Sequence, residues 1–124
     1  MSGRSEGKKS ERELVIEEFQ QRVTALRAAE HDSQVSVAWH LNMAYSLFRQ
    51  RFASTQDFRN ISYFARLKYL RSLTKMEIDY GKKDPLGGLA WGLFKAWVGA
   101  IAFGDVELEQ LTSNALSEIS HLAP

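Results

Sequence analysis

The sequence has no cysteine and only two prolines among its 124 residues. Without cysteine the chain can form no disulfide, no cysteine-bound zinc or iron–sulfur site and no thiol nucleophile. The absence fits a reducing compartment, and we expect a cytoplasmic protein. A hydrophobic share of 44% is too high for a disordered chain, and the low proline content excludes a fibrous one. The length predicts one ordinary globular domain.

Strand and targeting signals are missing as well. The sequence has no strand-like alternation between hairpin turns, no internal repeat and no low-complexity tract. Without a strand there is no place for a glycine-rich phosphate loop between a strand and a helix. Because the first ten residues contain no apolar run, we expect no secretory signal and predict a disordered polar tail over residues 1–10. The net charge of +1 gives no overall argument for a nucleic-acid or acidic partner.

The pattern that is present is helical periodicity. Apolar residues recur at helical spacing in five segments, which predicts an all-α, single-domain bundle of about five helices over residues 11–124. The first predicted helix begins with a capping box between Ser10 and Glu13 and ends near residue 30. Asp32 or Ser33 is expected to cap the second predicted helix, which ends near residue 52.

Three more helices follow in the prediction. The third covers residues 54–80, with Gly81 expected at its left-handed C′ position. The fourth covers residues 85–103, between an N-cap at Asp84 and a stop at Gly104. The residue after that glycine caps a fifth helix, which ends near residue 122.

The fourth predicted helix is nearly all apolar, and Lys95 is its only charge. Small residues recur every four positions on one face, namely Gly88, Gly92, Ala96, Ala100 and Gly104, with Gly99 nearby. Because each interior glycine costs about 1 kcal/mol relative to alanine, we expect another backbone to pack closely there. We favour a central helix of the bundle, or a helix packed on another subunit, with Lys95 at a rim or paired with a carboxylate. A membrane span over residues 86–103 is the alternative, which its minimal length and Lys95 disfavour.

The second predicted helix is apolar on two sides, and Trp39, Met43 and Leu47 form the second side. Such a helix is usually central in a bundle or borders a partner. We therefore predict a non-enzymatic helical interaction module, an adaptor, regulator or small subunit that acts through protein–protein contacts and self-associates. The predicted partner interface comprises Trp39, Met43, Leu47, Gly88, Gly92, Ala96, Gly99 and Ala100.

Charge is distributed unevenly along the chain. Residues 49–83 hold nine basic and three acidic residues, a net charge of +6, whereas residues 84–124 hold one basic and five acidic residues, a net charge of −4. On the third predicted helix, four residues share one stripe: Phe64, Lys68, Arg71 and Lys75. Such a stripe can follow a phosphate backbone and offer one ring for base stacking, and Arg66 would add a contact beside it.

Two interpretations of this basic segment stay open. The alternative function is a small subunit of a larger assembly that binds the nucleic-acid backbone. The other interpretation is a solvated face, or a basic surface paired with the acidic C-terminal helix of the same or another chain.

Neither a metal site nor an active site is predicted. Glu118 and His121 lie three apart, as in di-metal carboxylate bundles, but those sites need a second such motif and two further helix-borne glutamates. His40 and Asn42 lie among large apolar residues and could line a pocket, although we favour a core or interface histidine. No residue has the neighbours of an activated nucleophile or of an acid–base pair. We expect no enzyme, no cofactor and no small-molecule substrate.

Overall fold

Six α-helices and no strand make up the part of the chain that the computed structural model describes, residues 10–120. They are α1 (Glu11–Arg27), α2 (His31–Arg51), α3 (Thr55–Asn60), α4 (Tyr63–Lys83), α5 (Pro85–Ala102) and α6 (Val106–Ser120). The predicted all-α class is confirmed. The disordered tail predicted for residues 1–10 lies outside the described residues except for Ser10, and so does the predicted end of the fifth helix.

The third predicted helix is two helices, so that the described residues hold six helices instead of five. α3 ends before Ile61, which is extended with φ −78° and ψ 165°. Ser62 then caps α4, since its hydroxyl accepts a hydrogen bond from the amide of Ala65 at 3.1 Å. Arg66 closes the joint by donating to the carbonyl oxygens of Arg59 at 2.9 Å and Ile61 at 2.8 Å. Because the apolar spacing continues across the break, periodicity does not reveal it.

Two predicted helix boundaries agree with the structure. At the start of α1, the Ser10 hydroxyl accepts from the amide of Glu13, and the Glu13 carboxylate accepts from the amide of Ser10. Between α5 and α6, Gly104 has a φ of +71°, and the Asp105 carboxylate accepts from the amide of Leu108 at 3.0 Å. Glycine adopts this left-handed conformation without the steric cost of a Cβ. The capping box, the helix end at Gly104 and the cap at Asp105 are therefore confirmed.

Two other boundaries are wrong. α2 begins with Glu30 in the N-cap position and no side-chain capping bond, instead of after Asp32 or Ser33. Asp32 lies in the first turn of α2, where its negative charge interacts favourably with the helix dipole. α4 continues to Lys83, so that Gly81 is helical and not left-handed.

The core is one cluster to which all six helices contribute. α5 contacts each of the other five helices. Eleven of its residues are buried: Gly87, Gly88, Ala90, Trp91, Gly92, Leu93, Phe94, Val98, Ala100, Ile101 and Ala102. Burial of apolar surface is the dominant driving force of folding, so α5 contributes a large part of what stabilises this chain.

α4 and α5 approach closely where two glycines, Gly81 and Gly88, face each other. A Cβ on Gly88 would lie 2.7 Å from the Cα of Gly81 and 3.3 Å from the carbonyl oxygen of Glu77. Gly92 makes room for the Glu77 carboxylate, since a Cβ there would lie 2.6 Å from Oε2. That carboxylate accepts a hydrogen bond from Nζ of Lys95 at 2.7 Å, which confirms the expected carboxylate partner of the α5 lysine. α4 of the same chain therefore packs against Gly88, Gly92 and Gly99 of α5.

Candidate interaction surfaces

A chain of buried and half-buried polar contacts joins α2 to α5. The indole N–H of Trp91 donates to Nδ1 of His40 at 3.1 Å, and Nε2 of His40 lies 3.6 Å from Oδ2 of Asp84. Because Nδ1 accepts, the neutral imidazole carries its proton on Nε2, on the side of the carboxylate. The Ser36 hydroxyl donates to the same oxygen at 2.6 Å. This hydrogen bond is the main reason that the pKa of Asp84 lies below its ordinary value.

His40 is a core histidine, in agreement with the prediction of a core or interface residue. It is 6% exposed, and its ring makes edge contacts with the rings of Trp39 and Tyr80, both at 5.0 Å between centroids. Asp84 occupies the predicted N-cap position of α5, where backbone N–H groups of Gly87 and Leu86 also help to lower the pKa of its carboxyl. The buried histidine and the half-buried aspartate therefore connect α2 to the start of α5.

We expect the free energy of unfolding to fall as the pH drops below about 6.5. Burial lowers the pKa of His40 from its ordinary value of 6.5, although the Asp84 carboxylate opposes the shift. Below the ordinary value the unfolded chain binds the proton more readily than the folded one, so acid favours unfolding. The pKa of Asp84 is also lowered, but from 3.8, so its contribution is lost only at more acidic pH. Urea unfolding at pH 7.5, 6.5 and 5.5 measures the dependence of stability on His40.

His40→Gln and His31→Gln are the matched variants for this measurement, because His31 is exposed. The pH dependence should be lost in His40→Gln and kept in His31→Gln. An equal slope in both variants would show that burial of His40 is not the cause.

The outer face of α2 carries exposed residues at an alternating spacing of three and four. We name this surface the α2 stripe: Asp32, Val35, Trp39, Asn42, Ser46 and Arg49. Trp39 is 54% exposed and Val35 is 44% exposed. Exposed Leu47 and half-buried Met43 border the stripe. A large aromatic side chain among exposed apolar neighbours is typical of a protein–protein contact.

The two ends of the α2 stripe carry opposite charges. Asp32 lies in the first turn of α2 and Arg49 in the last. Within residues 10–120 neither makes an ion pair, although the Arg49 guanidinium lies 5.3 Å from the centre of the Tyr45 ring. The predicted interface does not include Asp32, Val35 and Arg49, because that prediction follows only the four-residue spacing of the largest apolar side chains. The alternating spacing is the signal that would have found them.

The eight residues predicted at a partner interface divide between surface and core. The members on α2 are exposed or half-buried: Trp39, Met43 and Leu47. The members on α5 are buried or half-buried: Gly88, Gly92, Ala96, Gly99 and Ala100. α4 supplies the atoms nearest to a Cβ on Gly88, on Gly92 and on Gly99. The close approach predicted by the small residues is therefore made within the chain, and the α2 members are those left open to a partner.

A second exposed surface follows the outer face of α4. The residues predicted to share a stripe are all exposed, and Phe64 is 80% exposed. The same spacing continues to Ile78 and Lys82, which are also exposed and which sequence reasoning misses. We name this surface the α4 stripe: Phe64, Lys68, Arg71, Lys75, Ile78 and Lys82. Exposed Asp79 is the acidic neighbour of its C-terminal half.

Arg66 lies beside this surface and contacts the joint between α3 and α4. It is half-buried, and one terminal nitrogen of its guanidinium donates to the two carbonyl oxygens at the end of α3. Its Nε is buried without a hydrogen-bond partner in the described residues. The contact that Arg66 would add to a nucleic acid stays a prediction.

The acidic residues after α5 are bound by arginines. Four ion pairs join them to the rest of the chain: Arg12–Asp105, Arg12–Glu107, Arg27–Glu118 and Arg59–Glu109. Within residues 10–120, Arg59 is the member of the basic segment 49–83 that pairs with the C-terminal helix, through Glu109. The cations of the α4 stripe have no ion pair within the part of the chain described here.

A groove of about 910 Å³ lies between α1 and α6. Phe19, Val23 and Ala115 are buried side chains in its lining. Arg27 and Glu118 also line it, and their ion pair joins the two helices. The groove therefore lies at the contact between α1 and α6 of the same chain.

Membrane and metal sites were the remaining alternatives. Among the helices described, none is both long and apolar enough to cross a bilayer. Residues 10–120 contain no cluster of three or more side chains suited to holding a metal ion. The partner of Glu118 in the weak metal motif, His121, lies outside those residues. No protein-family model, curated protein or solved structure matches the chain.

Proposed function

We propose that the protein is a non-enzymatic helical interaction module, an adaptor, regulator or small subunit, that self-associates through the α2 stripe in the cytoplasm. The exposure of Trp39 is the observation that carries the proposal. This residue is 54% exposed and lies in the middle of a stripe with oppositely charged ends. Tryptophan is enriched at the centres of protein interfaces, where its ring buries a large area at a small cost in conformational entropy.

In the proposed arrangement, α5 is the central helix of a bundle. Its contacts with the five other helices and its eleven buried residues support this arrangement. Since α4 packs against Gly88 and Gly92 of α5, the exposed side of α2, with Val35, Trp39 and Leu47, is one of the apolar surfaces without a neighbour among the described residues. Covering the exposed apolar surface of Trp39 with a partner would stabilise the complex by about 25 cal/mol for each Å² that is buried.

An antiparallel pairing of two copies fits the charges of the α2 stripe. The six positions of the stripe are placed symmetrically in the sequence about the midpoint between residues 40 and 41. Around a two-fold axis at that point, Asp32 of each copy therefore lies opposite Arg49 of the other. Trp39 then lies opposite Asn42 of the second copy, and both indoles meet near the axis. A parallel pairing would oppose like charges at both ends, which costs free energy.

Trp39→Ala should shift the protein from dimer to monomer. Truncating a central interface tryptophan commonly costs 2 kcal/mol or more, which is about a 30-fold weaker association. Light scattering after size-exclusion chromatography measures the change in molar mass. The control is Phe64→Ala, which removes an even more exposed aromatic ring, on α4, and should leave the dimer intact.

Two results would contradict self-association through α2. One is a strict monomer for the unmodified chain at high concentration. The other is a dimer that Trp39→Ala leaves unchanged, which would locate the contact elsewhere on the molecule.

A further inference from the structure

We infer that the α4 stripe binds single-stranded nucleic acid, with Lys68, Arg71 and Lys75 on successive phosphates and Phe64 stacked on a base. This activity is independent of the pairing through α2, because the two stripes share no residue. One face of α4 carries four exposed cations that make no ion pair in the described residues: Lys68, Arg71, Lys75 and Lys82. The ring of Phe64, next to them, is 80% exposed.

The cations of the α4 stripe have no ion pair in the described residues, and the paired acids of the chain bind other basic residues. Asp105, Glu107, Glu109 and Glu118 pair with arginines outside the α4 stripe. Glu77, on α4 itself, faces α5 and binds Lys95. The exposed acid that remains on this face is Asp79, beside the C-terminal half of the stripe. The N-terminal half, from Phe64 to Lys75, therefore carries a local positive charge that attracts a polyanion.

The spacing of the cations suits an extended chain of phosphates. With a rise of about 1.5 Å per helical residue, Lys68 and Lys75 are separated by about 10 Å along α4, and Arg71 lies between them. Lysine and arginine side chains can each reach several ångströms, so the three heads can follow neighbouring phosphates of a flexible strand. Neutralising these phosphates releases counterions, which is the main source of affinity in sequence-independent binding.

Phe64 favours a single strand over a duplex. Its ring lies at the N-terminal end of the cations and borders a depression of about 380 Å³, which Ser62, Leu67 and Arg71 also line. A base of a single strand can leave its neighbours and stack on an exposed ring, whereas the bases of a duplex are already stacked. An exposed ring that can stack on a base, followed along the helix by cations that can contact phosphates, is the combination that single-strand binding requires.

A membrane surface fits the α4 stripe less well. The two apolar members, Phe64 and Ile78, are separated by about 21 Å along the helix axis, with the three central cations between them. An interfacial helix needs a continuous apolar face that enters the lipid. The α4 stripe does not offer such a face.

The test is binding of a fluorescein-labelled 20-nucleotide oligo(dT) to the full chain, followed by fluorescence anisotropy at several salt concentrations. With three to four phosphates neutralised, a slope of log affinity against log salt of about −2 to −3 is expected for a single strand. Affinity should therefore fall about 20- to 50-fold between 50 and 200 mM salt. A duplex of the same length should bind more weakly.

Single variants test whether the α4 stripe is the site. Arg71→Gln should weaken binding and make the slope shallower by about 0.7, whereas the control Arg27→Gln on α1 should leave the slope unchanged. Phe64→Ala should weaken binding at least fivefold, because stacking on an aromatic ring contributes about 1–3 kcal/mol per base. Its control is Phe103→Ala, which removes another exposed ring outside the stripe. These side chains are exposed, and circular dichroism verifies that each variant is folded.

Several results would overturn the inference. No binding of oligo(dT) at 20 mM salt would exclude a nucleic-acid site. Equal losses in Arg71→Gln and Arg27→Gln would locate binding elsewhere. Binding of phosphatidylserine vesicles that depends on Phe64, without binding of oligo(dT), would assign the stripe to a membrane surface. Duplex binding as tight as single-strand binding, and insensitive to Phe64→Ala, would exclude base stacking.

Discussion

Gly88→Ala is expected to lower the free energy of unfolding by about 1–3 kcal/mol, although alanine is the better helix former. The added methyl group would lie 2.7 Å from the Cα of Gly81 and 3.3 Å from the carbonyl oxygen of Glu77. Both are backbone atoms, so no side-chain rotation relieves the overlap, and α4 must move away from α5. The separation would also loosen neighbouring contacts of α5, because interiors are closely packed.

Gly99→Ala is the matched control on the same helix. The nearest atom to a Cβ there is Cδ2 of Leu70 at 3.9 Å, which is an ordinary contact. Alanine should therefore stabilise this variant by up to about 1 kcal/mol through helix propensity. Chemical denaturation followed by circular dichroism gives both values, at one protein concentration because association affects apparent stability. Equal stability of Gly88→Ala and the unmodified chain would contradict the tight crossing of α4 and α5.

Trp91→Ala should destabilise the chain by about 3–5 kcal/mol, enough to unfold a domain of ordinary stability in part. Trp91 is fully buried, and its ring stacks on Tyr80 with centroids 5.4 Å apart. Its indole N–H also donates to His40. The variant would leave a large cavity in the core and an unsatisfied imidazole nitrogen.

Trp91→Phe and Trp97→Phe separate the hydrogen bond from the bulk of the ring. Both variants make the same chemical change, but Trp97 is half-buried and its indole makes no hydrogen bond within the described residues. Trp91→Phe should lose about 1–3 kcal/mol more, since it leaves Nδ1 of His40 without a donor. Equal losses in thermal or chemical unfolding would show that the bond to His40 contributes no net stability.

The helices and much of the core could be predicted from the sequence because burial imposes a visible spacing. Phe19, Val23 and Leu26 on α1 and Tyr69 and Leu73 on α4 are buried where the helical period indicates. The break between α3 and α4 could not be predicted in this way, because it depends on hydrogen bonds of Ser62 and Arg66 and not on apolar spacing. Local polar groups can end a helix without interrupting its hydrophobic stripe.

The sequence also does not predict which helix packs against Gly88 and Gly92. The spacing of Gly88 and Gly92 indicates that a backbone lies close, but not whether it belongs to this chain or to a partner. Gly81 is the matching glycine on α4, and its position near the predicted helix end suggested a cap instead. Likewise, the sequence shows the charge of residues 49–83, but only the fold separates the engaged Arg59 and Arg66 from the open α4 stripe.

The most direct measurement of self-association through α2 is sedimentation of two charge-reversal variants, alone and mixed. In Asp32→Arg and in Arg49→Asp, both charge contacts of the antiparallel pair become repulsive, so each variant alone should dissociate at least about tenfold more readily. In an equimolar mixture, one copy of each variant again opposes unlike charges at both ends of the stripe. We predict monomers for the separate variants and a one-to-one dimer for the mixture. Variants that dimerise separately, or a mixture that stays monomeric, would contradict the pairing of the α2 stripe with a second copy.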